Sequence, residues 1–345
     1  MRTAPTMRAL VFDGPALDAR STRVAAVAVP EPGAGEVAIA VDHAGVNFID
    51  VMARRGDPGY VEAWPFVPGL ETAGTVRALG PGVDGLVPGD RVAAFTGAGG
   101  LAEVAVARAE LAVGVPAGLD LEQAAAAPGT LTTAALLLAD AGRLRPDEVV
   151  LVHAAGGGVG RAVARLARRA GARLVLGTVG AAGRVAAAER AGYDAALVRG
   201  PGLAAAIRER TGGRGVDLIL DPQGTALLDL DLDVAAPGAR IVLFGNATGE
   251  PLAPLPPAAE LFAANASIGG FSLSRLAATA PERVAAALRG VLDHLAAGEL
   301  DVELSVVDGL AGAAEAQQAL AESRGRGKHV VRVSAVTNGA GRSRS

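Results

Sequence analysis

The run Val149-Val-Leu-Val-His153 is of the kind a strand covered on both faces needs, and Ala154-Ala-Gly-Gly-Gly-Val-Gly160 follows it without a spacer. A helical run over residues 161–170 comes next. Strand, tight turn and helix in that order constrain the fold more than any other feature of the chain. In the A-x-G-x-x-G window, Ala155 is small enough for the turn, Gly157 lets the backbone approach a pyrophosphate, and Gly160 lets helix and strand pack closely. The helix N-terminus then faces the phosphates, so Ala155, Gly156, Gly157, Gly158, Val159 and Gly160 are expected to bind a dinucleotide.

The surroundings agree with that reading. β-like runs at residues 149–154, 173–176, 195–198, 216–220, 240–244 and 267–271 alternate with mostly helical stretches, which predicts a doubly wound parallel sheet in an α/β protein. Helix is expected over 122–127 and 131–141. From residue 8 to about 121 the apolar runs are short, often alternate, and are bounded by turn formers such as Pro30-Glu-Pro-Gly-Ala-Gly35. This first part is β-rich. Helices over 281–297 and 310–322 precede a final strand at 329–333, which has no neighbour in the parallel sheet and is expected to return to the first domain. The 345 residues thus divide into 1–122, a nucleotide-binding domain at 123–272, a returning segment at 273–334 and a disordered tail at 335–345.

Composition narrows the function. Lys plus Arg is 32 and Asp plus Glu is 36, with no block of like charge to grip nucleic acid or an anionic membrane. No cysteine is present, which removes disulfides, thiolate nucleophiles and every zinc site built on Cys. Aromatic residues make up 3% of the chain, too few for base-stacking platforms. The N-terminal stretch has no long apolar segment, so a soluble, cytoplasmic protein acting on a small molecule is expected, with neither nucleic acid nor membrane as partner.

An acidic side chain at the end of the second strand would bind the ribose 2′-hydroxyl of NAD. The residues there are Gly177-Thr178-Val179-Gly180, without a carboxylate, and Arg184 follows within one turn. A guanidinium suits a phosphate, which favours NADPH. Arg184 as one more exposed arginine among 31 is the alternative.

Several segments, in order, carry a resemblance: Gly45-Val-Asn-Phe-Ile-Asp-Val51, Pro65-Phe-Val-Pro-Gly-Leu-Glu71, Val87-Pro-Gly-Asp-Arg-Val92, the glycine turn, Gly177-Thr-Val179, Phe244-Gly-Asn246 and Gly327-Lys328. With them the chain resembles the medium-chain dehydrogenase/reductase superfamily, in its zinc-free NADPH:quinone oxidoreductase branch. The resemblance implies a GroES-like β-rich catalytic domain completed by the C-terminal segment, a Rossmann domain between, and homodimers formed along the last Rossmann strand. Zinc members hold a metal with a Cys, a Gly-His-Glu motif and a later Cys. Here Asn47 lies close to the first position, Leu70 replaces the His before Glu71, and Glu71 is left as a structural acid.

By the same resemblance Asn47 lies beside nicotinamide and substrate, and Asp50 orders its loop. Asn47 either donates a hydrogen bond to substrate oxygen or caps the local turn. Tyr60 and Trp64 either line the substrate mouth or pack the loop. Thr132, Thr178, Gly180, Gly245, Asn246, Phe271, Ser272 and Lys328 are implied along the cofactor path, Lys328 near the pyrophosphate. Arg199 stands where the family often has a Tyr and assists the 2′-phosphate or stacks on adenine, while Gln223 departs from the usual apolar residue at the nicotinamide edge. His153 reads as a satisfied core histidine. The expected activity is metal-free, NADPH-dependent reduction of quinones or α,β-unsaturated carbonyls, since without a Lewis acid alcohol oxidation lacks the device that lowers the hydroxyl pKa. Two alternatives stay open: an enoyl or alkenal reductase tailoring a polyketide-like product, and a non-catalytic NADPH-binding redox sensor.

Overall fold

A computed structural model describes residues 5–333, so the tail expected at 335–345 lies outside the described residues. Six parallel strands form one sheet in the order Ala195–Val198, Leu174–Val179, Val149–Val152, Val216–Asp221, Ala235–Leu243 and Ser267–Gly270. The chain runs outward one way from Val149–Val152, then returns to its other side and runs outward again. The order therefore reverses between Val149–Val152 and Val216–Asp221, the place where an open α/β sheet leaves a crevice beyond its strand ends. Val149–Val152 is wholly buried, as its unbroken apolar run requires. The α/β fold is as expected from the sequence.

A second, seven-stranded sheet holds the N-terminal region. Its order is Leu304–Asp308, Lys328–Arg332, Glu36–Gly45, Glu71–Leu79, Arg91–Phe95 and Ala112–Gly114, with Val104–Arg108 also paired to Glu36–Gly45. The strand Lys328–Arg332 lies antiparallel to Glu36–Gly45, with Val331 opposite Ala44. Val46 N–H then donates to the His329 carbonyl at 2.9 Å, so the last strand abuts the loop that begins the Asn47 motif. Two elements of this region escape a reading of periodicity. Leu304–Asp308 is a half-buried edge strand of five residues, too short for a clear alternation. Helix Phe48–Arg55 is one amphipathic pair of turns, closed by Gly56 at φ 77°.

The connection between the sheets is helical but uneven. Leu121–Ala124 and Thr132–Leu136 are α-helical, whereas Ala127–Leu131 and Leu137–Ala141 are π-helical. A π turn widens the spiral and rotates every later side chain relative to an α-helix.

Candidate active site

The glycine turn is built as the strand–turn–helix pattern demands. Ala154 takes a left-handed φ of 58°, an unusual state for a residue with a Cβ, and Gly157 N–H donates back to its carbonyl at 2.9 Å. Helix Gly158–Arg169 starts there with no acidic residue in its first turn, leaving its N-terminal N–H groups open to an anion. A Cβ on Gly160 would lie 2.7 Å from the Ala154 carbonyl oxygen and 2.9 Å from that of Ala155. Only glycine permits this approach. A Cβ on Gly177 would meet the Ala155 Cβ at 2.5 Å and the Tyr193 ring at 2.9 Å, so the turn rests directly on the second strand. The buried Tyr193 hydroxyl donates to the Gly160 carbonyl at 2.6 Å, and burial pushes the phenol pKa up. Nothing in the local sequence marks Tyr193 for this, because it lies 33 residues from its acceptor.

Two arginines flank the turn. A guanidinium nitrogen of Arg184 lies 4.0 Å from where a Gly156 Cβ would be, and one of Arg199 lies 3.2 Å from the corresponding point at Gly180. Neither makes an ion pair among the described residues, and Arg199 Nη1 is buried without a hydrogen-bond partner. Thr178 is turned inward: its hydroxyl meets His153 Nδ1 at 2.8 Å. His153 Nε2 meets Asp231 at 2.8 Å, so both ring nitrogens are occupied, as a satisfied core histidine requires. Asp221 completes a buried group with these two, its pKa raised to about 6 chiefly by burial.

Across the crevice, Asn47 heads helix Phe48–Arg55. Its backbone N–H donates to Asp50 at 2.7 Å, and the other oxygen of Asp50 accepts from Gly69 N–H at 3.0 Å, so this acid ties two loops together. Burial raises the Asp50 pKa to about 6. The Asn47 side chain donates to Glu71 Oε1 at 2.7 Å and accepts from the Thr130 hydroxyl at 3.0 Å and the Lys328 ammonium at 2.7 Å. Glu71 is buried and also accepts from the Gly129 backbone at 2.6 Å, making it the structural acid the sequence implies.

Several residues expected along the cofactor path have partners within the fold. Thr132 is fully buried with its hydroxyl on the Ala127 carbonyl at 2.9 Å. The threonine that reaches the crevice is Thr130, whose methyl lies 3.1 Å from a Cβ position at Gly158. Two residues apart on a helix, Thr130 and Thr132 point to nearly opposite sides. Lys328 passes Gly158 with its stem, 4.0 Å from the same kind of point, but its ammonium reaches Glu71 Oε1 at 2.5 Å and the Val46 carbonyl at 2.9 Å. Ser272 caps helix Leu273–Thr279 by accepting from Arg275 N–H, and Phe271 packs half-buried behind it. Asn246 bonds within its own loop to Thr248 and Glu250, and pairs with Gln223. Gly245, at the start of that loop, approaches Pro222. Tyr60 is half-buried, packs with Trp64 against a core that includes Phe12 and Val46, and its hydroxyl has no hydrogen-bond partner among the described residues.

The residues do not compose the zinc site of other superfamily members. Leu70 is apolar, the Asn47 amide oxygen is committed to Thr130 and Lys328, and the Lys328 ammonium lies against Glu71, an arrangement that repels a divalent cation.

A glycine turn at the switch point of a parallel sheet, set against a mixed β-sheet, is the arrangement of proteins of the dehydrogenase/reductase type. Residues 33–117 match the alcohol dehydrogenase GroES-like domain and residues 158–291 the zinc-binding dehydrogenase family. A quinone oxidoreductase of Pseudomonas aeruginosa is 33% identical over 310 residues, covering 87% of this chain and 92% of its own. Erythronolide synthase EryA2 of Saccharopolyspora erythraea is 40% identical over 271 residues, 78% of this chain; the chain spans 7% of that synthase's length. A mycobacterial structure complexed with NADPH has a TM-score of 0.86 and 31% identity, covering 94% of this chain and 100% of its own. The chain belongs to the medium-chain dehydrogenase/reductase superfamily, in its quinone oxidoreductase-like branch, an oxidoreductase family.

Proposed function

We propose that this protein binds NADPH in the crevice between the two sheets and reduces quinones or α,β-unsaturated carbonyl compounds without a metal. The observation that carries the reading is the glycine turn flanked by Arg184 and Arg199, with no carboxylate at the end of the second strand. In this reading the open N–H groups at Gly158 and Val159 hold the pyrophosphate, with Gly157 giving the backbone its close approach, and the two guanidinium groups hold the 2′-phosphate. NADPH, when bound, supplies a hydride from its nicotinamide. Asn47 supplies a hydrogen bond to the substrate oxygen as charge develops there, and Tyr60 lines the entrance with its unpartnered hydroxyl. Gly245, Asn246, Phe271 and Ser272 border the nicotinamide.

Support also comes from the neighbours, a quinone oxidoreductase and a structure complexed with NADPH. A second reading, reduction of an enoyl group in a polyketide-like product, is favoured by the 40% identity to erythronolide synthase. A panel of quinones and enones, with NADPH consumption followed for each, separates the two. Tight NADPH binding with no turnover on any of them would instead leave a redox-sensing protein.

The homodimer belongs to the same proposal. Its support is the strand Ser267–Gly270 at the edge of the parallel sheet, together with exposed Leu252, Leu255 and Phe262 in the segment leading to it. No helix among the described residues is long and apolar enough to cross a membrane, and we place the protein in the cytoplasm.

A further inference from the structure

Lys328 and Glu71 lie far from Asn47 in the chain, and neither is called for by the proposed reduction. Yet both close on its side chain. Glu71 Oε1 accepts from Asn47 Nδ2 at 2.7 Å, and the Lys328 ammonium donates to Asn47 Oδ1 at 2.7 Å across 281 positions of sequence. The same ammonium lies 2.5 Å from Glu71 Oε1 and donates to the Val46 carbonyl at 2.9 Å, and both charged side chains are nine-tenths or more buried. Thr130 adds a second donor to Oδ1, and Gly129 N–H holds the other oxygen of Glu71.

A side-chain amide can turn over, exchanging its oxygen and nitrogen at little cost in shape. Here it cannot. An ammonium has donors only and an ionised carboxylate has acceptors only, so the oxygen must face Lys328 and the nitrogen must face Glu71. With both lone pairs of Oδ1 occupied and one N–H on Glu71, the amide retains a single N–H without a partner among the described residues.

We propose that Lys328 and Glu71 are positioning residues that lock the Asn47 amide in one orientation, so that it offers its remaining N–H, and never its oxygen, to the substrate. This rests on the reading of Asn47 as the donor to substrate oxygen. The lock has a geometric basis independent of turnover: the first and last strands of the catalytic sheet are paired, and that pairing delivers Lys328 to the Asn47 loop. Removing the ammonium leaves Glu71 as the one group that fixes the orientation, since Thr130, whose hydroxyl can accept as well as donate, tolerates either.

A double-mutant cycle tests the coupling. Lys328→Met should lower kcat about tenfold at saturating NADPH, with the NADPH dissociation constant changed by no more than about threefold. Asn47→Ala should lower kcat at least as far, and adding Lys328→Met to it should cost no more than about twofold further, since a positioning residue has nothing left to position. Glu71→Gln, which keeps the volume and can still accept, should fall between. A Lys328→Met effect of the same factor with and without Asn47 would overturn the proposal, showing that the lysine supports the fold or the cofactor. A readout without turnover separates this from the functional reading: with the four asparagines labelled with ¹⁵N, the Asn47 side-chain amide signal should move in Lys328→Met. An unmoved signal overturns the lock. A moved signal in a protein that reduces no quinone or enone upholds the lock and overturns the reading of the reaction.

Discussion

The Tyr193 hydroxyl donates to the Gly160 carbonyl at 2.6 Å, fastening the first turn of helix Gly158–Arg169 to the loop between the second and third strands of the parallel sheet. The bond is buried, so neither partner has water as a substitute. Tyr193→Phe keeps the ring and removes the donor, which should cost about 1 to 2 kcal/mol of stability. Urea unfolding of the two proteins measures it. Equal midpoints would mean the helix needs no such fastening.

Gly177→Ala puts a methyl 2.5 Å from the Ala155 Cβ and 2.9 Å from the Tyr193 ring. The turn must shift to admit it, at a cost of roughly 1 to 3 kcal/mol for overpacking. Because the turn itself moves, NADPH affinity should fall along with stability. Titration of the folded variant checks this, and undiminished affinity would separate the turn from the cofactor site.

If Arg184 holds the 2′-phosphate as proposed, Arg184→Ala removes a charge-assisted contact worth about 1.5 to 3 kcal/mol, roughly ten- to a hundredfold in NADPH affinity. NADH binding should barely change. Gly180→Asp should also move preference toward NADH, for two reasons, since the new carboxylate repels the phosphate and lies within reach of Arg199, 3.2 Å from the Cβ position. Titrating both cofactors against each variant is the test. Equal losses for NADPH and NADH in Arg184→Ala would make the arginine a support for the fold.

Asp50 carries a pH signature. Burial raises its pKa from 3.8 to about 6 in the folded protein, so between those values the native state binds a proton that the unfolded chain has released. Its contribution to stability is therefore fully present below about pH 4 and is lost as pH rises to about 6, a span worth roughly 3 kcal/mol. Asn47 and Gly69 N–H groups both aim at it, so Asp50→Asn loses one bond at every pH. The variant should nonetheless gain on the wild type as pH rises through that window. Urea midpoints at pH 4, 5, 6 and 7 report it, and a constant difference between the two proteins would place the Asp50 pKa at its ordinary value.

Phe262 is 79% exposed beside the edge strand Ser267–Gly270. Phe262→Asp should leave the fold intact and convert a homodimer to a monomer in light scattering after gel filtration. A dimer that survives the change uses another face.

What the sequence determined by itself is local. The strand–turn–helix at 149–170 was legible because its chemistry is decided within a dozen residues: an unbroken apolar run, three small residues at set spacing and an amphipathic helix. The six-strand alternation followed from the same periodicity, and the absence of a carboxylate near Gly180 needed no coordinates. Residues that act one at a time against a backbone can be read from a string.

What only the tertiary structure decided involves pairs brought together over long stretches of chain. Thr130 rather than Thr132 faces the crevice because the two lie on nearly opposite sides of the helix, and which side is buried is decided by the packing of that helix, not by the spacing. Tyr193 finds Gly160, and Lys328 finds Asn47 and Glu71, through strand pairings and helix packing that no spacing encodes. Leu304–Asp308 becomes a strand because Lys328–Arg332 offers it an edge. Local propensity is weak against such contacts, since burying and pairing a group yields more free energy than its own backbone preference withholds.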